Sequence, residues 1–291
     1  MTSRTATLIG LTAILMWSLL ALLTVATGSV PPFQLAAMSF AIGALAAAAG
    51  WIGRPGALRA LRQPPVVWLV GVGGLFGYHA LYFAALRLAP PAEAGLLNYL
   101  WPLLIVLFSA LLPGERLARH HIIGALLGLA GTVLLLSGSV QFESAHVSQL
   151  TGLGLAFFAA FVWAGYSVLS RRLKAVPTDA VAGFCMATAL LAAMTHLAVE
   201  TTVWPATARQ WSAIVALGVG PVGAAFYAWD IGVKRGDIRV LGAASYATPL
   251  LSTGFLILAG YAQPSANIVI AAALIGFGGL LAAKDMIARR G

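Results

Sequence analysis

The chain has 291 residues, of which 60% are hydrophobic and only 9% charged. A soluble domain is typically about half apolar and about a quarter charged, so there is too little charge here to clothe a water-facing surface. The composition excludes a soluble globular protein and implies an integral membrane protein. At roughly 20 apolar residues per crossing there is room for many spans and almost no extramembrane domain.

The apolar runs predict ten spans, at 7–26, 32–52, 65–86, 94–112, 121–139, 150–170, 179–199, 210–233, 240–260 and 265–283. Runs of this length without strand alternation are helices, not barrel strands. Span 1 follows Arg4 in the outline of a signal peptide, yet it shares in the internal repeat described below and reads as a retained helix. Trp17 and Ser18 lie near its middle. Mid-span tryptophan is unusual, because the ring prefers the interfacial belt. Trp51, Trp68, Trp204 and Trp211, near span ends, fit that belt.

Span 3 contains "GYHALYF", which sets Tyr78 and Tyr82 one turn apart on one face, with His79 and Phe83 beside them. Span 4 contains "LLNYLWPLL", from Leu96 to Leu104, with Asn98, Tyr99 and Trp101 ahead of Pro102. The connection between the two spans is short, so they are antiparallel neighbours with these residues at similar depth. Polar atoms in hydrocarbon are costly, so such residues face the bundle interior or a water-filled cavity. Pro102 removes a backbone donor and disturbs the preceding turn, which predicts a kink that serves as a flexing point or offers carbonyls to a ligand. His79 can relay protons or bind a carboxylate; it can equally be a neutral packing residue. Glu115, His120 and His121 are too loosely spaced for a metal site.

In the second half, Trp163 and Tyr166 lie near the middle of span 6. For Tyr78, Tyr82, Tyr99, Trp101 and Trp163 one reading is the lining of a site, and packing with an internal hydrogen bond is the other. Cys185, in span 7, is the only cysteine, which excludes an intrachain disulfide and a multi-cysteine metal site. His196, near the end of that span, reads as interfacial. Span 8 contains "WDIGVK": Asp230 is the only acid well inside a span, and Lys234 stands at ion-pair spacing. Asp230 is a candidate for coupling or for one half of a neutralised pair. Span 9 contains "AASYATPLL", where Ser245, Tyr246 and Pro249 repeat the order seen in span 4. No carboxylate pair, Ser-His-Asp set, metal-ligand cluster or phosphate loop lies in the spans. This argues against an intramembrane enzyme and implies no cofactor and no metal.

The formal net charge of +9 suggests nucleic acid only until the charges are located. Sorting the gaps between spans alternately puts 15 of the 17 Lys and Arg on one side and leaves only Arg87 and Arg209 on the other. The positive-inside rule assigns the rich side to the cytoplasm, with both termini there. The cations are topology signals and headgroup contacts, not a nucleic-acid patch.

Shifting the chain by about half its length superposes Trp17 on Trp163, Gly74 and Gly77 on Gly220 and Gly223, Tyr99 and Pro102 on Tyr246 and Pro249, and Gly131 on Gly278. Each half therefore carries five spans, over 1–140 and 147–291. Five is odd, so the second half enters the membrane from the opposite side. Such inverted repeats exchange roles around a central site, which predicts alternating-access transport. A duplication that only builds a stable bundle is the plainer reading.

Ten spans in two inverted halves, with tryptophan in spans 1 and 6 and a proline motif in spans 4 and 9, resemble the EamA family of the drug/metabolite transporter superfamily. Within it, "GYHALYFAAL" followed by "NYLWPLLIVLFSALL" is similar to bacterial aromatic amino-acid exporters. The resemblance implies an inner-membrane protein, surrounded by lipid, that exports aromatic and other neutral amino acids through a central cavity. It implies a small-molecule substrate and no nucleic acid, and it is compatible with a monomer. Trp17, Tyr78, His79, Tyr82, Asn98, Tyr99, Trp101, Trp163, Ser245 and Tyr246 are the expected substrate contacts. His79 and Asp230 are the candidates for coupling, and Pro102 and Pro249 for hinges. Export of another metabolite or drug is the neighbouring alternative; a lipid scramblase or a membrane enzyme is the distant one.

Overall fold

The computed structural model describes residues 1–54, 56–137, 147–261 and 263–288. The expected end of span 5 at 139, the repeat limits at 140 and 291, and Arg289 and Arg290 lie outside the described residues. No strand occurs among the described residues, and nine of their helices are long and apolar enough to cross a membrane. They are span 1 (Ser3–Ala26), span 2 (Pro32–Ala49), span 3 (Pro65–Leu88), span 4 (Pro91–Ser109) and span 5 (Arg119–Leu136). The second half follows with span 6 (Val147–Arg172), span 7 (Ala180–Val199), span 8 (Ala208–Arg235) and span 9 (Ile238–Leu258). The shorter apolar helix Ala266–Ala282 is span 10.

Local sequence sets where these helices begin. Spans 2, 3 and 4 each start on the second residue of a Pro-Pro pair, at Pro32, Pro65 and Pro91. Proline suits the first helical residue, where an N–H would have had no partner and the fixed φ is already helical. Span 8 opens with a reciprocal cap: Thr207 Oγ1 accepts from Gln210 N at 3.2 Å while Gln210 Oε1 accepts from Thr207 N at 3.1 Å.

Four spans are interrupted near the middle. Span 1 divides into Ser3–Ser18 and Leu20–Ala26. Span 4 divides into Pro91–Asn98 and Trp101–Ser109, and span 9 into Ile238–Ala244 and Ala247–Leu258. In spans 4 and 9 the interruption falls just ahead of Pro102 and Pro249, where the missing N–H and the ring displace the carbonyl one turn back. Span 8 instead widens into a π-helical turn over Gly218–Ala224 that contains Pro221, a known way of absorbing a helix irregularity.

The packing of the spans reports their symmetry. Span 1 packs on span 8, and span 3 on span 6; spans 2 and 7, 4 and 9, and 5 and 10 pair with each other. Exchanging the two halves turns the first pair into the second and maps the other three onto themselves. That is the signature of a pseudo-two-fold relation, and five spans per half make it an inverted one. Glycine permits the closest crossings. A Cβ on Gly232 of span 8 would come 2.7 Å from Gly10 Cα of span 1, and one on Gly124 of span 5 would come 2.5 Å from the Gly278 carbonyl of span 10.

Candidate functional site

Spans 1, 4, 6 and 8 meet at the centre through Trp17, Trp101, Trp163 and Trp229. All six pairs among these four indoles have ring centroids between 5.0 and 6.5 Å. Five of the pairs are edge-on or tilted contacts with Trp17 or Trp101, the geometry that aligns ring edges with the π faces of neighbours, while Trp163 and Trp229 stack. The interrupted helices make this meeting possible: Trp17 ends the first segment of span 1, and Trp101 opens the second segment of span 4.

Two of the four indoles are tied to neighbouring spans. Trp17 Nε1–H donates to the Pro221 carbonyl in the π-helical turn of span 8 at 3.0 Å. Trp229 Nε1–H donates to Ser167 Oγ at 3.1 Å, and that hydroxyl donates to the Trp163 carbonyl at 3.0 Å. The indole N–H groups of Trp101 and Trp163 have no protein acceptor among the described residues, so they are the two donors of the set open to a ligand.

From Trp163 the cluster continues along span 3 toward the face that carries Arg87. Tyr78 lies 5.3 Å from Trp163 and stacks on Tyr82 at 6.0 Å. Asn98 Nδ2 donates to the Tyr78 hydroxyl at 3.0 Å. Asn98 Oδ1, in a residue 4% exposed, has no partner among the described residues. A buried acceptor left open is costly unless a ligand or water uses it. Tyr78, Tyr82 and Tyr99 are half-buried, so this stretch of wall is not sealed like the tryptophan junction.

The structure thus brings Trp17, Tyr78, Tyr82, Asn98, Trp101 and Trp163 together, with Tyr99 at the interruption beside Asn98. His79 lies among them. Its Nδ1–H donates to the Leu75 carbonyl at 2.7 Å, and Phe40, Tyr78 and Phe83 surround the ring at 5.1, 5.1 and 5.7 Å.

Ser245 and Tyr246 are not brought to the junction. Both are fully buried; Ser245 Oγ donates to the Leu241 carbonyl at 2.7 Å, and Tyr246 belongs to a second apolar cluster with Ala125 and Ile275. The reason is Gly128: a Cβ there would stand 2.5 Å from the Tyr246 ring, so the missing side chain makes the slot that the ring fills. Asp230 is likewise turned away from a ligand. It pairs with Lys234 Nζ at 2.8 Å and accepts from Thr178 Oγ1 at 2.7 Å, while Lys234 also donates to the Val176 carbonyl at 2.9 Å.

Two histidine readings need correction. His196 is buried, not interfacial, because residues beyond the end of span 7 engage both ring nitrogens: Glu200 Oε2 and Thr202 Oγ1, each at 2.9 Å. His120 and His121 are not loosely placed; with Asp285 they put three potential ligand atoms within 4.8 Å of one another. The Ala118 N–H donates to His121 Nδ1 at 3.1 Å, however, so the neutral ring carries its proton on Nε2 and has no lone pair there for a metal. Glu115 is engaged elsewhere, by Arg171.

Sequence reasoning missed Trp229 and Phe226, whose ring lies 6.0 Å from Trp17 and 5.9 Å from Trp163. Trp229 adjoins Asp230, whose charge drew attention, and it stood close to the expected end of span 8. The helix in fact runs on to Arg235, which carries Trp229 away from the interface.

Two five-helix halves, inverted and meeting at a ring-walled junction of interrupted helices, define a membrane transporter of the inverted-repeat kind. The chain belongs to the EamA-like transporter family, whose model matches residues 4–137 and again residues 150–283. It is similar to the aromatic amino acid exporter YddG of Ancylobacter novellus, with 56% identity over 290 residues and 100% of both chains covered. The protein of that name from Salmonella typhimurium is 29% identical over 275 residues, covering 89% of each chain. A solved crystal structure superposes with a TM-score of 0.93 and 54% identity, covering 100% of both chains.

Proposed function

We propose that the chain is an inner-membrane exporter of aromatic and other neutral amino acids, working by alternating access between five-helix repeats at 1–140 and 147–291. Both termini are cytoplasmic in this reading, which the 15-to-2 partition of Lys and Arg supports. The observation that carries the substrate class is the half-buried wall of Tyr78, Tyr82 and Tyr99, with Asn98 Oδ1 left without a partner among the described residues. An aromatic side chain stacks on such rings. The ligand's ammonium is met by the Asn98 oxygen and by ring faces, and its carboxylate by the indole N–H groups of Trp101 and Trp163.

The matched interruptions at Pro102 and Pro249 serve as hinges, because a helix without a continuous hydrogen-bond ladder bends at low cost. Proton coupling is less well supported. Both carboxylate oxygens of Asp230 are engaged within the protein and His79 Nδ1–H is spent on a backbone carbonyl, which favours facilitated export. The protein acts as a monomer, since one chain holds both halves of the exchange, and it is a transporter rather than an enzyme.

Proteoliposomes loaded with labelled phenylalanine or tryptophan test this reading. Saturable release, competed by other neutral amino acids and insensitive to a pH gradient, is expected. Release no faster than from protein-free liposomes removes the proposal.

A further inference from the structure

A carboxylate that ties three spans together stands outside them. Glu200 follows span 7, and its side chain is 2% exposed. Its Oε1 accepts from Phe33 N at 3.1 Å and its Oε2 from Gln34 N at 3.1 Å, the first free amides of span 2. A carboxylate at that position satisfies donors the helix cannot and opposes the positive end of its dipole. Arg87 Nη2, in the last turn of span 3, donates to Oε1 at 2.6 Å, and His196 Nδ1 lies 2.9 Å from Oε2. One acid therefore binds the start of span 2, the end of span 3 and the end of span 7 into a single knot.

The knot connects to the ring wall by direct contact. Arg87 lies over the Phe33 ring at 5.7 Å, Phe33 meets Phe83 edge-on at 5.5 Å, and Phe83 meets His79 at 5.7 Å. Tyr82 and Tyr78 stand on this same helix, about one and a half and two and a half turns below Arg87. We propose that Glu200 and Arg87 are positioning residues for transport: they fasten the end of span 3 to spans 2 and 7 and so set where Tyr78 and Tyr82 stand opposite Asn98. The inference rests on the proposed function, because it takes those tyrosines as the wall that meets substrate.

The test uses the full chain in proteoliposomes and compares wild type with Arg87→Lys, Arg87→Gln, Glu200→Gln and the double variant R87Q/E200Q. Arg87→Gln and Glu200→Gln each raise the KM for phenylalanine about tenfold with maximal rate within about twofold, whereas Arg87→Lys keeps a near-normal KM by retaining the charge-assisted bond. The double variant is no worse than either single one, because both remove the same contact. Amide hydrogen exchange of these variants without substrate speeds up over residues 82–88 and not over span 10. Three results overturn the proposal: an unchanged KM in both glutamine variants, additive effects in the double variant, or faster exchange spread evenly over all spans. If the proposed function itself is wrong, wild type shows no saturable release, while the exchange pattern still reports whether the knot holds span 3.

Discussion

Spans 3 and 4 and their matches, spans 8 and 9, share a backbone plan and differ in side chains. Under the repeat, Tyr78, His79 and Tyr82 fall on Ala224, Ala225 and Ala228, while Asn98, Tyr99 and Trp101 fall on Ser245, Tyr246 and Thr248. Spans 4 and 9 are both interrupted just before a proline. Yet Tyr99 is half-buried beside Asn98, whereas Tyr246 is fully buried against Gly128. The match of Gly128 is Ile275, so the repeat offers no equivalent slot to receive Tyr99. The interruption before proline recurs in both halves, while the wall of Tyr78, Tyr82, Asn98 and Tyr99 is confined to the first.

Substitutions can break this contrast. The largest effect is expected for Trp163→Ala, which removes a ring shared by three other indoles and by Tyr78; efflux of labelled phenylalanine falls at least about tenfold while the protein still inserts. Wild-type efflux would reduce the junction to packing. Next, Tyr246→Ala leaves a cavity and costs about 3–5 kcal/mol of stability, read as a lower unfolding temperature in detergent with an unchanged KM. A raised KM there would put Tyr246 in the site after all. Gly128→Ala drives a methyl into the Tyr246 ring and costs about 1–3 kcal/mol; Tyr246→Leu, which shortens the ring's reach, recovers part of that loss. Smallest of all, Thr248→Ala, at the match of Trp101, leaves efflux within about twofold of wild type.

Much of the fold was legible because lipid imposes simple rules. Apolar run length, the sorting of Lys and Arg and the recurrence of Trp17 at Trp163 were enough for ten helices in two halves. The ring cluster was legible where two signals coincided, as in span 4, where polar and aromatic residues share an apolar helix with a proline. It was misread where one signal stood alone. Tyr246 repeated the motif, but its fate was decided by a glycine on span 5 far away in sequence. Glu200 passed unnoticed, since a single acid in a connection carries no pattern until folding brings Arg87, His196 and two backbone amides around it. Long-range complementarity of this kind leaves no local periodicity to read.

The pairing of spans 5 and 10 through Gly124 and Gly278 has a consequence for the two halves. Spans 2 and 7, and 4 and 9, also meet their own counterparts, so each half presents to the other a surface complementary to itself. That is the isologous contact of a two-fold homodimer, here joined into one polypeptide. Two separate copies of one five-helix half, set in opposite orientations, would present these same self-complementary faces. Joined in one chain, the halves need not be identical: Tyr78 and Tyr82 of one stand at the places of Ala224 and Ala228 in the other.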